Sequence, residues 1–176
     1  MRLRRIANLA RDTRGTSLIE MGILLPVMTM LFIGGYQLSD ASACKRRVTI
    51  VSRAMADLVS QYTVLTNSQL DSILNASTQI MAPYPIANAS VRLSQITTDG
   101  AGNPHVAWSR AKNGTPLVVG AYFDLPATMR LNDSSVIYSE VSYTYTPAFG
   151  KVMTQSVFSQ NLYMLPRASS TVTLNP

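Results

Sequence analysis

From Met21 to Leu38 the chain carries eighteen consecutive residues without a charge, most of them apolar. About 20 apolar residues at 1.5 Å rise cross a hydrocarbon core of about 30 Å, so this run, lengthened by Leu18 and Ile19, is long enough to span a bilayer. Inside lipid every backbone polar group must find its partner within the segment, which leaves a helix as the only form for a single span. Pro26 removes one backbone donor and frees the carbonyl of Gly22, which predicts a bend at that point. Gly34 and Gly35 supply a second soft point.

The charges before the run speak to orientation. Arg2, Arg4, Arg5, Arg11 and Arg14 against Asp12 give +4 of the net charge of +6, so the chain beyond residue 15 carries only about +2. A basic cluster flanking a first span favours the cytoplasmic side, so the high isoelectric point reads as topology and not as nucleic-acid binding. Lys45, Arg46 and Arg47 on the far side pull the other way; the amino-terminal cluster is expected to prevail.

Glu20 is the exception at the border of the run. A carboxylate at the centre of a span costs about 2.5–3.5 kcal/mol and less toward the interface, so it needs a partner or a task, unless it simply marks the edge of the span among the headgroups. Five residues before it stands Gly15, where the basic segment stops. Glycine has no Cβ and few forbidden conformations, which suits a backbone that must lie extended in a protease cleft.

The string Arg14-Gly15-Thr16-Ser17-Leu18-Ile19-Glu20-Met21-Gly22-Ile23-Leu24-Leu25-Pro26 resembles the amino-terminal signature of the TadE-like proteins of the Tad (Flp) type IV pilus system. Two later passages fit the same family more loosely, Ala54-Met55-Ala56-Asp57-Leu58-Val59 and the ending Leu165-Pro166-Arg167. The resemblance implies a pilin-like α+β fold and a cut by a prepilin peptidase between Gly15 and Thr16. It implies that Glu20 acts in assembly by pairing with the new Thr16 amine, and that Pro26 sets a kink. It further implies a cytoplasmic leader over 1–15, a transmembrane helix over 16–38, an amphipathic continuation over 39–64 and a periplasmic domain over 65–176. Partners by the same resemblance are other minor and major Tad pilins, the inner-membrane assembly platform and membrane lipid. Major pilins of that system are little more than a helix and the TadG-type proteins are much longer, so a minor pilin or pseudopilin is the closest match, in a priming or tip complex of an adhesive pilus.

Two rival readings stay open. One is an uncleaved bitopic anchor that recruits a periplasmic partner. The other is a lipoprotein cut before Cys44, since Ala41-Ser42-Ala43-Cys44 follows an apolar run and a basic start. Against the latter, Ala41 stands where such sites usually carry leucine, and the apolar run exceeds the usual 7–15 residues. Cys44 is the only cysteine, so no intrachain disulfide forms and the domain must be held by its core.

Ala41, Cys44, Val48, Val51, Met55, Leu58 and Tyr62 recur at spacings of three and four, one seam of an amphipathic helix, while Lys45, Arg46, Arg47, Arg53 and Asp57 lie off it. Joined to the span, the seam predicts one helix from about Ser17 to Tyr62, on the order of 65–70 Å long, packed on the sheet that follows, with Cys44 as a small buried hydrophobe. Thr66-Asn67-Ser68 predicts a second helix with Leu70, Ile73, Leu74, Ile80 and Met81 on one face, ended by Pro83 and Pro85. Antiparallel strands are expected over 90–97, 106–110, 116–123, 135–145 and 154–165, with turns at 99–104 and 113–114. In the fourth, Ile137, Ser139, Val141, Tyr143 and Tyr145 share one face and Tyr138, Glu140, Ser142 and Thr144 the other; its tyrosines read as strand packing more than as a surface stripe.

No catalytic constellation stands out. His105 is the only histidine, placed beside a Gly/Pro turn with no second ligand pattern near it, and reads as a surface-loop residue. No serine sits in a nucleophile-elbow sequence. The expectation is therefore a protein that is not an enzyme, without metal or cofactor.

Overall fold

The computed structural model describes residues 14–149 and 153–175. The leader expected over 1–15 lies outside the described residues except for its last two. Helix α1 runs unbroken from Arg14 to Ser60, passing through Pro26 without interruption. It ends two residues short of the seam's last member, where Gln61 and Tyr62 donate to the carbonyls of Leu58 and Val59 in a tightening turn. The seam is the buried face: Ala41, Cys44, Val48, Val51 and Met55 are all buried, whereas Tyr62, past the helix end, is exposed. Each Val or Met removed from water in this way stabilises the fold by about 1.5–3 kcal/mol.

Strand β1, Val64–Thr66, leads directly into helix α2, Asn67–Met81. Thr66 caps α2 through a reciprocal capping box with Gln69, and Leu70, Ile73, Leu74 and Met81 are buried. A turn then reaches the sheet, made of β2, Ala89–Thr98, β3, Pro104–Lys112, β4, Ser135–Tyr145, and β5, Ser156–Met164, in the order β3-β2-β4-β5, antiparallel throughout. The fold is α+β, with α1 lying along β4 and β5 and α2 beside it.

Alternation along β4 places Ile137, Ser139, Val141, Tyr143 and Tyr145 toward the helices, all buried. Tyr138, on the other face, is also buried, because it packs with Ile96, Val106, Leu117, Phe123 and Tyr163 in a second small cluster. The tyrosines are therefore packing residues on both faces of the sheet.

The strand expected over 116–123 does not form. Gly120 adopts φ +81, which breaks an extended run, and Val118 and Val119 point into solvent. The segment meets the outer side of β3 through the His105–Tyr122 bridge and backbone bonds between Gly120, Ala121 or Phe123 and Val106 or Pro104, while Leu117 and Phe123 cover the outer cluster. His105 accordingly belongs to β3 and not to a loop.

A short parallel pair, β1 with β6, Thr173–Asn175, closes the end of the domain farthest from the start of α1. Gln95 and Trp108 anchor it. The indole Nε1 of Trp108 donates to Gln95 Oε1 at 3.0 Å and to the Val172 carbonyl at 2.8 Å, and Val172 N donates to Gln95 Oε1 at 3.0 Å. All three residues are buried, so each polar group needs the others.

Candidate functional site

The residues singled out by the sequence lie together on the first turns of α1, clear of the domain. A Cβ added at Gly15 would meet nothing within 4 Å. Thr16 and Glu20 are four residues apart in continuous helix, so their side chains share a face. Glu20 makes no ion pair among the described residues and is exposed. Between Leu18 and Phe32 the large apolar side chains are all more than half exposed, so this part of α1 presents hydrocarbon on every side. Apolar all round and covered by none of the described residues, this part of α1 is long and apolar enough to cross a membrane. At Pro26 the helix continues, and Thr29 Oγ1 donates to the Leu25 carbonyl at 2.7 Å.

Where α1 meets the domain, the structure assembles a polar collar that the sequence reading missed. Tyr84, from the α2–β2 connection, donates its hydroxyl to Asp40 Oδ1 at 2.8 Å, and Tyr145, at the end of β4, donates to Asp40 Oδ2 at 2.6 Å. Gln37, buried one turn earlier, donates through Nε2 to the Phe149 carbonyl at 2.8 Å. Burial, then the bond to Asp40, raises both tyrosine hydroxyls well above their usual range, so they stay protonated as donors. Tyr143 sits edge-on to Tyr84 with ring centroids 6.0 Å apart. One carboxylate thus ties the helix to two separate parts of the domain. The signal was present in the spacing: Gln37 and Asp40 fall four residues before Ala41 and Cys44, so the buried seam begins a turn earlier than its apolar members.

Cys44 lies just above Asp40 with none of its surface exposed. Burial pushes its thiol up to about 11, with the Asp40 carboxylate adding to the shift. Only the thiolate is strongly nucleophilic. Alkylation of Cys44 by iodoacetamide at pH 8 is therefore expected to run at least a hundredfold slower in the folded protein than in denaturant, as read by mass spectrometry. Equal rates would show that the seam is not packed. Because the folded thiol keeps a proton that the unfolded one loses, stability should fall as pH rises from about 9 toward 11.

Lys45, Arg46, Arg47 and Arg53 are exposed, with Arg47 Nη1 donating to the Ile80 carbonyl at 3.4 Å. Among the described residues no group of three or more His, Cys, Asp or Glu is placed to hold a metal ion. No family model matches the chain, and no curated protein or solved structure matches it.

Proposed function

We propose that the chain is a TadE-like minor pilin, or pseudopilin, of a Tad/Flp-type pilus, held in the inner membrane by α1 with its domain on the periplasmic side and processed between Gly15 and Thr16. The observation that carries this reading is the combination at the start of α1: a glycine with open space around it, a carboxylate five residues later, and a helix that is uniformly apolar and uncovered beyond it. A helix that only anchored a soluble domain would have no use for a carboxylate at that depth. A subunit that packs against neighbours within the membrane does, because the amine freed at Thr16 is a cation that an adjacent carboxylate neutralises, and two charges removed together cost less than either alone. Paired between chains, they would set the stagger of one subunit against the next.

The pilin-like character of the fold belongs to the same proposal. It is supported by the single long helix whose upper half packs on an antiparallel four-stranded sheet. The role is structural and not enzymatic, with a prepilin peptidase, other pilins and the assembly platform as partners. The burial of Cys44 within continuous helix weighs against processing there, since a cut before it would remove the Gln37 and Asp40 contacts that seat α1.

Deleting the gene in its host tests the role. Loss of filaments, or of filament-dependent adhesion, restored by the full chain but not by residues 1–64 alone, is the expected outcome. Normal filaments and normal adhesion without the protein would overturn it.

A further inference from the structure

The sheet has two edges, and they are finished differently. On β3 the outer side is occupied: Gly120 N donates to the Val106 carbonyl at 2.8 Å, Val106 N to Ala121 at 3.0 Å and Phe123 N to Pro104 at 3.0 Å. Farther along the same strand, Arg110 grips Asp71 of α2 with two bonds of 2.7 and 2.8 Å, and Lys112 reaches Asn75. On β5 no strand pairs with the outer side among the described residues. Its nine residues, Ser156–Met164, contain no charge and no proline, and their register with β4 runs without a bulge. Natural edges usually carry one of those features to prevent pairing, so an edge lacking all of them is a ready template for another strand.

Two grooves flank this edge, one on each face of the sheet. The outer one, about 510 Å³, is lined by Met129, Leu131, Val136, Tyr163 and Leu165. The one on the helix side, about 670 Å³, is lined by Ile50, Arg53, Ala54 and Asp57 of α1. Met164 and Arg167 line both, so the grooves meet around the end of β5. Arg167 is paired with Asp57 at 3.0 Å, which leaves Arg53, without an ion pair among the described residues, as the uncompensated charge of the helix-side groove.

We propose that the outer edge of β5 accepts an extended strand from a different protein, one in which apolar residues alternate with acidic ones. Successive side chains of a strand point to opposite faces, so its apolar residues fall into the outer groove and its carboxylates toward Arg53. A second copy of this chain does not fit the edge as an antiparallel partner. β5 starts opposite Tyr145, beside the Asp40 collar, and ends near Arg167, whose N–H bonds the Ser60 carbonyl at the far end of α1. An antiparallel β5–β5 pair would invert one copy relative to the bilayer, and the β3 edge of a neighbour is already occupied; the inversion argument rests on the membrane orientation proposed above. One open edge and one closed edge admit a single partner strand and do not propagate a sheet.

The test uses the full chain in detergent micelles and a nine-residue peptide of alternating valine and glutamate, acetylated and amidated. The expected result is at least tenfold slower amide hydrogen exchange in β5, lost when the peptide is N-methylated at alternate residues on its pairing side, and at least fivefold weaker binding to Arg53→Gln. Absence of β5 protection at millimolar peptide, or equal binding by the N-methylated peptide, would overturn the proposal. So would β5 protection that grows with protein concentration in the absence of peptide, since that would make the occupant a second copy. None of these readouts depends on leader cleavage or on Glu20, so failure here and failure of the pilin reading are separable.

Discussion

Replacing Glu20 with alanine should lower incorporation of the protein into surface filaments more than tenfold while leaving its amount in the membrane and its cleavage after Gly15 unchanged. Among the described residues no group of the folded domain pairs with Glu20, and the surrounding large apolar side chains from Leu18 to Phe32 are exposed, so a partner for the carboxylate is sought outside the domain or at the amino terminus. Thr16 stands on the same face one turn earlier. A free α-amine there would be a cation within reach of that carboxylate, and the two together would neutralise each other. Glu20→Gln keeps the shape and removes the charge, so it should fail like alanine if pairing is ionic. The readout is the ratio of sheared filament protein to membrane protein by immunoblot, and full incorporation of the alanine variant would sink the pairing.

Asp40→Ala should destabilise the domain by about 2–4 kcal/mol, the range for stranding buried donors that had bonded a charged acceptor. The Tyr145 hydroxyl, on a buried residue, loses its only acceptor among the described residues, and Tyr84 keeps among them only the Asp40 backbone carbonyl at 3.0 Å. For a domain near 100 residues this corresponds to a fall in melting temperature on the order of 10 °C or more. Asp40→Asn retains one acceptor oxygen and should recover part of the loss. The triple variant Asp40→Ala/Tyr84→Phe/Tyr145→Phe, which removes the donors as well, should cost less than Asp40→Ala, because neither hydroxyl nor carboxylate is left without a partner. Thermal unfolding followed by circular dichroism checks the order, and an Asp40→Ala protein as stable as the parent would show that the collar does not seat the helix.

Much of the architecture was legible because period and length are written in single residues. The seam from Ala41 to Met55, the helix start at Thr66 and the helix-facing set of β4 each follow from local spacing, and each appears in the structure. Short or irregular pieces were not. β1 and β6 have three residues apiece, too few to show a period, and exist because Gln95 and Trp108 hold Val172 from another part of the chain. The 116–123 segment has the apolar content of a strand, but Gly120 bends it and its valines end in solvent. Of the candidate site, Gly15, Thr16, Glu20 and Pro26 were visible because they interrupt or border a monotonous run. The place of Asp40 on the seam was written in the spacing, but its role was not, because that comes from two tyrosines, 44 and 105 residues away in sequence.

The most direct test of the central claim is the intact mass and amino-terminal sequence of the protein recovered from the membranes of its own host. A chain beginning at Thr16 is the expected result. A chain retaining Met1, or one beginning at an acylated Cys44, would contradict it.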